Sequence, residues 1–141
     1  MKLRALAIVG AVAAAVGALG AHAVFAQPVV PPTATPITGT EPIVKLLARR
    51  SFRFTVHDTG FEAYGTSTWD PLQRIVYGDI VWGPYYKGPW KKEWRVTDSH
   101  SCFRDLGAER WDCYRIFVEG ANHYEVRDDG VVHSLHVPLA D

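Results

Sequence analysis

The chain has 141 residues, and its 15 lysines and arginines balance 15 aspartates and glutamates. No basic block interrupts this balance, which argues against nucleic-acid binding, since that requires clustered Lys and Arg to displace counterions. Five Trp, six Tyr and six Phe occur with glycines and prolines that recur along the chain. Aromatic residues favour strands, and Gly and Pro favour turns, so we expect a small β protein.

Residues 1–26 predict an export signal. A basic start is followed by an apolar run from Leu6 to Leu19 and by small residues at the positions that a signal peptidase reads. We expect cleavage after Ala26, with Ala23 as the alternative. An uncleaved membrane anchor is disfavoured because the apolar run is shorter than the roughly 20 residues of a span. The mature protein is therefore expected to be periplasmic or secreted, with no membrane span.

The remaining chain predicts a linker and one domain. Residues 27–40 hold four prolines and few large apolar residues, which is typical of an extended Pro/Thr-rich linker. Residues 41–141 are expected to form a single β domain. Its one helix candidate runs from Thr40 to Arg50. We expect one or two helical turns lying across an open end of a sheet, with an apolar face formed by Ile43, Leu46 and Leu47.

Strand signals follow the helix candidate. Phe52, Phe54 and Val56 alternate with polar residues, which is the pattern of a half-buried strand. Seven or eight short strands joined by tight turns favour an all-β antiparallel barrel or sandwich, and the sequence leaves the choice between these open. The predicted strands are Phe52 to His57, Glu62 to Trp69, Arg74 to Trp82, Glu93 to Asp98, Tyr114 to Val118, His123 to Arg127 and Val131 to Val137.

Cys102 and Cys113 predict a disulfide within one β-hairpin. The two cysteines are equidistant from Gly107-Ala108, so a turn there sets them side by side at the spacing that a disulfide needs. Export supplies an oxidising compartment. A redox pair is disfavoured because ten intervening residues are not the two-residue spacing that lowers a thiol pKa. A metal site is disfavoured because His100 is weak support as a further ligand.

An aromatic segment at residues 82–94 is the predicted ligand-binding site. Two Gly-Pro steps predict a long loop, and aromatic rings flanked by lysines can stack on a sugar, an aromatic ligand or a partner protein. The alternative is a structural hairpin loop whose aromatic side chains plug one end of a barrel. The candidate binding residues are Trp82, Tyr85, Tyr86, Trp90 and Trp94.

The histidines give a conditional prediction. If Asp129-Gly130 forms a two-residue turn, His123 lies opposite His136, and two imidazoles across a strand pair supply half a metal site. A three-residue loop pairs Asn122 with His136 instead, and the site is lost. Exposed strand histidines are common, so we assign no metal ligands and no cofactor.

No pattern identifies a catalytic residue. Ser99-His100-Ser101 is contiguous, and adjacent residues cannot arrange a nucleophile and its base. The sequence contains no G-x-S-x-G elbow, P-loop, dinucleotide-binding glycine pattern or H-E-x-x-H motif. Asp112, Glu119 and Glu125 could meet only through the fold. We therefore lean against an enzyme and assign no catalytic residues.

The C-terminal half contains a tryptophan strand, two cysteines with aromatic neighbours, and a Gly-containing turn before a tyrosine strand. These features are Glu93-Trp94-Arg95-Val96, Cys102-Phe103, Trp111-Asp112-Cys113-Tyr114 and Glu119-Gly120-Ala121-Asn122-His123-Tyr124. Through them, the region from Leu46 to Val137 resembles a family of small exported proteobacterial proteins of unknown function. The resemblance implies an exported β domain and brings no activity.

Three functions are compatible with these sequence features, and the fold can discriminate between them. Non-catalytic binding of a small or envelope-derived ligand leads, and it requires an internal aromatic cavity. The second is an envelope protein-interaction module or protease inhibitor, which requires a filled barrel and an exposed aromatic patch. The third is a hydrolytic or metal-dependent enzyme, which requires converging carboxylates or histidines in a cleft.

Overall fold

A computed structural model describes residues 28–140; the expected export signal at residues 1–26 lies outside this range. One helix and nine strands make up the described chain. In chain order they are β1 (Thr35–Ile37), α1 (Thr40–Leu47), β2 (Ser51–Val56), β3 (Ala63–Asp70), β4 (Ile75–Trp82), β5 (Tyr86–Thr97), β6 (His100–Arg104), β7 (Asp112–Glu119), β8 (Asn122–Val126) and β9 (Val132–Pro138).

Strands β2 to β9 form a closed antiparallel barrel. Each strand pairs with the next one along the chain, and β9 returns to pair with β2. The all-β prediction is confirmed, and the open choice between barrel and sandwich is resolved as a barrel. The alternation of Phe52, Phe54 and Val56 with exposed residues directs the apolar side chains of β2 inward, as in any strand with one buried face.

Helix α1 covers one end of the barrel, as the sequence predicts. Ile43 and Leu47 are fully buried and pack against Phe52, Trp69 and other core side chains of the barrel. The helix is eight residues long, ends before Arg50 and begins after Gly39. Within residues 28–140, no helix is both long and apolar enough to cross a bilayer.

Part of the segment expected to be a linker belongs to the fold. Strand β1 pairs with Ile116 to Val118 of β7. Strand β6 pairs with β7 only as far as Arg115, so the β7 edge beyond that residue would be unpaired without β1. Three extra residues outside the barrel therefore satisfy backbone groups that would otherwise be left open.

The prediction of a long loop at residues 82–94 is wrong. Strand β4 ends at Trp82 and β5 begins at Tyr86, so a turn at residues 83–85 that contains the first Gly-Pro step joins them, and the second step, Gly88-Pro89, lies within β5. Pro89 is tolerated because β6 pairs with β5 only from Glu93 onward. Its missing N–H therefore lies at an open edge, where no hydrogen-bonded neighbour needs it.

The cysteine hairpin is confirmed. Cys102 of β6 and Cys113 of β7 are directly paired across the two strands and are bonded to each other. The connection between the strands carries the predicted turn at Gly107, which has a positive φ of 78°. One covalent bond thus closes the hairpin that lies beside the open edge of β5.

An ion pair outside the barrel gives a pH-dependent contribution to stability. His100 Nε2 lies 3.0 Å from Asp128 Oδ1, and this hydrogen bond raises the pKa of His100 although partial burial opposes it. The stabilisation is fully present below the unfolded-state pKa of about 6.5 and is lost as the pH rises through the higher folded-state pKa. We expect His100→Gln to lower the free energy of unfolding by at most about 1 kcal/mol at pH 5.5 and by less at pH 8.5. Denaturant titrations at the two pH values measure this; an equal loss at both would contradict it.

Candidate functional site

The barrel contains a cavity of about 290 Å³ that is partly open to solvent. This volume is near the lower end of the range for small-molecule sites, so it suits a compact ligand. The side chains of Trp69 and Phe103 line it on the side of the helix-covered core, where they also contact each other. The aromatic residues around the cavity are Phe54, Trp69, Trp82, Trp90, Phe103 and Tyr114.

Two glycines leave room for the aromatic walls. Gly65 pairs with Phe54, and Gly78 pairs with Trp90. A Cβ at Gly78 would come within 2.0 Å of the Thr66 carbonyl oxygen, which accepts a hydrogen bond of 2.9 Å from the Trp90 indole. The missing side chains thus let Phe54 and Trp90 meet edge to face, with their centroids 5.6 Å apart.

One part of the cavity wall is polar. Ser134 Oγ donates a hydrogen bond of 2.7 Å to Glu125 Oε2 and lies 2.9 Å from His136 Nε2. Because the single hydroxyl proton goes to Glu125, the His136 Nε2–H must be the donor to Ser134. All three residues are buried and line the cavity. They form a hydrogen-bonded group on an otherwise aromatic surface.

His123 adjoins this group on the side away from the cavity. Its ring is fully buried, stacks on His136 at 4.4 Å between centroids, and meets the edge of Phe52 at 4.7 Å. Neither nitrogen of His123 has a hydrogen-bond partner among the described residues, and the same holds for His136 Nδ1 and Glu125 Oε1. Such orphaned groups are costly when buried, so their concentration in one place indicates a site. We call His123, Glu125, Ser134 and His136 the polar cluster.

The environment fixes the charges of the polar cluster. Burial lowers the pKa of His123 far below its usual value, and the neighbouring His136 lowers it further, so His123 is neutral. Burial alone would raise the pKa of Glu125. Attraction and hydrogen bonding from His136, with smaller contributions from His133 and Ser134, outweigh burial and hold the pKa below its usual range. Glu125 is therefore a carboxylate.

The pairing of His123 with His136 arises in a way the sequence did not predict. The hairpin has a three-residue loop, because Arg127 pairs with Val131 and Gly130 adopts a φ of 87°. That loop alone would have moved His136 out of register. A β-bulge between Glu125 and Val126 restores the register, so His123 does lie opposite His136.

The polar cluster is not a catalytic triad. In a triad the serine contacts one histidine nitrogen and the carboxylate contacts the other. Here Ser134 and Glu125 both face Nε2 of His136, at 2.9 and 3.4 Å, and the Ser134 proton is given to the carboxylate. Ser134 is held as a hydrogen-bond donor rather than activated as a nucleophile. The convergence of a carboxylate and two histidines is nevertheless the feature that an enzyme would require.

The predicted binding residues separate into three groups. Trp82 and Trp90 line the cavity. Trp94 is buried in the core beside the helix, where it contacts Trp69 at 5.0 Å. Tyr85 and Tyr86 lie at the β4–β5 turn with exposed fractions of 73% and 48%, away from the cavity lining. The prediction therefore identified two cavity residues within a segment whose other members have different surroundings.

Sequence reasoning left the polar cluster unassigned although a signal was present. His123 and Glu125 are two residues apart on β8, as are Ser134 and His136 on β9, so each pair shares one face of its strand. Polar residues at two inward positions on neighbouring strands are rare unless they serve each other or a ligand. The sequence did not reveal the bulge, so it did not show that the pair on β8 lies opposite the pair on β9.

In comparisons of the whole chain with known proteins, no family model, no curated protein and no solved structure matches it. The resemblance to exported proteobacterial proteins therefore stays a prediction. The function has to be inferred from the cavity and the polar cluster.

Proposed function

We propose that the protein is an exported, non-catalytic binder of a small, mostly aromatic or apolar ligand, which the barrel cavity holds. The observation that carries this proposal is a cavity of about 290 Å³ in the barrel with six aromatic side chains in its lining. A barrel whose only task were structural would gain stability by filling that space, because interiors are otherwise close-packed. The disulfide is compatible with export to the periplasm or outside the cell.

The lining defines the chemistry of the ligand. The aromatic walls favour flat apolar groups through contact and edge-to-face stacking. The Glu125 carboxylate and the Ser134 hydroxyl lie on one side, so a ligand with a single hydrogen-bond donor would be oriented toward Glu125. A ligand bearing a negative charge at that end would be disfavoured. A small aromatic amine meets each of these conditions.

The test uses N-phenyl-1-naphthylamine, a neutral aromatic amine that fluoresces strongly in apolar surroundings. We expect saturable binding to the wild-type protein with one molecule per chain. Ile80→Trp places a large ring in the cavity, since Ile80 is a lining residue, and we expect it to weaken binding at least about tenfold. Fluorescence titration of the two proteins measures the difference.

Tyr77→Trp is the matched control. Tyr77 lies on the same strand as Ile80 but is 43% exposed on the outer face, so the same new ring stays outside the cavity. We expect the control to bind the probe as the wild type does, and circular dichroism to show all three proteins folded. No saturable binding by the wild type, or equal binding by Ile80→Trp, would refute the proposal.

A protein-directed function has one observation in its favour. Tyr85 and Tyr86 are exposed together, and Phe61 packs against Tyr85 at 5.3 Å and so supports the patch from below. A module or inhibitor that bound its partner through this patch would need no cavity, so its barrel interior could be filled with side chains. The presence of the cavity therefore favours the small-ligand function. Tyr85→Ala with Tyr86→Ala, which leaves the cavity intact, should have no effect on binding of the probe.

A further inference from the structure

We infer that the polar cluster is a binding site for a divalent transition-metal ion of the Zn²⁺ type, with His123, Glu125 and His136 as its ligands. One donor atom from each of these three residues lies within 4.8 Å of the others. The inference goes beyond the proposed function, because it concerns the metal alone and does not depend on any organic ligand. The sequence raised His123 and His136 only conditionally as half of a metal site, and the fold adds Glu125 as a third ligand.

The donor set selects the class of metal. Two imidazoles and one carboxylate suit Zn²⁺ and its first-row neighbours, whereas Mg²⁺ and Ca²⁺ prefer oxygen ligands only. All three residues are at most 4% exposed, so the ion would be enclosed by protein. Three protein ligands also leave a fourth tetrahedral position open, which is the arrangement of zinc sites that bind a further molecule.

The orphaned atoms match what metal binding needs. Glu125 Oε1, His136 Nδ1 and the His123 nitrogens have no partner among the described residues, so each ligand residue has a donor atom available. The other oxygen of Glu125 and the other nitrogen of His136 are held by Ser134. Ser134 therefore acts as a positioning residue that orients two ligands, as the outer hydrogen bonds of metal sites commonly do.

The stacked rings require one movement. His123 and His136 are nearly parallel, with 13° between their planes, so their in-plane lone pairs point side by side rather than at a common centre. Joint ligation therefore needs one imidazole to turn about its Cβ–Cγ bond. His136 lines the cavity and has free space on one side, so its ring can turn with less displacement of its neighbours than the enclosed ring of His123.

The site opens toward the cavity. Glu125 and His136 are part of the cavity lining, while His123 lies behind them against Phe52. His123 and Phe52 cover the site on the side away from the cavity, so the free coordination position faces the cavity. A small donor molecule such as azide can reach it there.

The experiment titrates Zn²⁺ into the full chain after chelator treatment, with calorimetry for affinity and elemental analysis for stoichiometry. We expect one Zn²⁺ per chain and no binding of Mg²⁺. His123→Phe keeps a flat ring in the same packing and removes both orphaned nitrogens. We expect it to fold, to be at least as stable as the metal-free wild type, and to bind Zn²⁺ at least about 100-fold more weakly. Glu125→Gln should also lose affinity.

His100→Gln is the control, because His100 is a partly exposed histidine away from the cluster and its loss should leave Zn²⁺ binding unchanged. Co²⁺ gives an independent readout, since tetrahedral coordination produces intense visible absorption that azide should alter. Absence of one-to-one Zn²⁺ binding, or retention of binding in His123→Phe, would overturn the inference. Ile80→Trp should still bind Zn²⁺ but should bind the naphthylamine probe weakly. His123→Phe should still bind the probe but should bind Zn²⁺ weakly. Failure of the metal inference can therefore be distinguished from failure of the proposed function.

Discussion

Replacing Leu47 with alanine is expected to lower the free energy of unfolding by about 2 to 5 kcal/mol. Leu47 is fully buried at the end of α1 and belongs to the core cluster that joins the helix to the barrel. Removing its side chain deletes apolar contact and leaves a void, because the strands that form the barrel end are fixed by their own hydrogen bonds. Denaturant titration with tryptophan fluorescence measures the loss, and an unchanged slope would show that both proteins unfold over the same surface.

Lys45→Ala is the matched control on the same helix. Lys45 is exposed, and alanine is a good helix former, so we expect a change within about 0.5 kcal/mol. Similar effects of the two substitutions would mean that α1 is not a structural closure of the barrel. A large loss confined to Leu47→Ala would show that eight helical residues stabilise one end of the fold.

Regular alternation made most of the barrel predictable. Strand β2 has inward and outward residues of clearly different polarity, and Asp129-Gly130 marked the turn before β9. Helix α1 was recognisable from the spacing of Ile43 and Leu47. These features depend on neighbours within a few residues, so the sequence contains the information directly.

Features that depend on a distant strand were not predictable. Strand β1 can pair with β7 because β6 does not cover β7 beyond Arg115. Pro89 is tolerated because β6 does not extend along β5 past Glu93. Neither condition is visible in Thr35–Ile37 or in the segment around Pro89. The sequence therefore suggested a linker and a loop where the fold has strands.

The candidate site illustrates the same limit more sharply. The sequence predicted aromatic residues at the site, and Trp82 and Trp90 do line the cavity. The partners of Glu125 depend on the register of β8 against β9. The three-residue hairpin loop shifts this register by one residue and the bulge shifts it back, so Glu125 lies opposite Ser134. A change of one residue in strand register reverses which side chains face inward, so no local pattern settles such a question.

The second large effect is expected from the disulfide. Cys102→Ala with Cys113→Ala should lower the free energy of unfolding by about 2 to 3 kcal/mol, because a crosslink that closes a short loop restricts the unfolded chain by about that much. The bond joins β6 to β7, and β6 is a five-residue strand with one long partner on each side. Denaturant titration of the oxidised wild type and of the double variant gives the difference.

Reduction separates the covalent bond from the packing of the side chains. Adding dithiothreitol to the wild type should lower its stability toward that of the double variant, and adding it to the double variant should change nothing. Thiol labelling of the exported wild-type protein should find no free cysteine until it is reduced. Labelling of two thiols without reductant would contradict the crosslink, and with it the inference of an oxidising compartment from the disulfide. If reduction leaves the stability unchanged, the hairpin is held by its strand pairing, and the bond adds nothing to the fold.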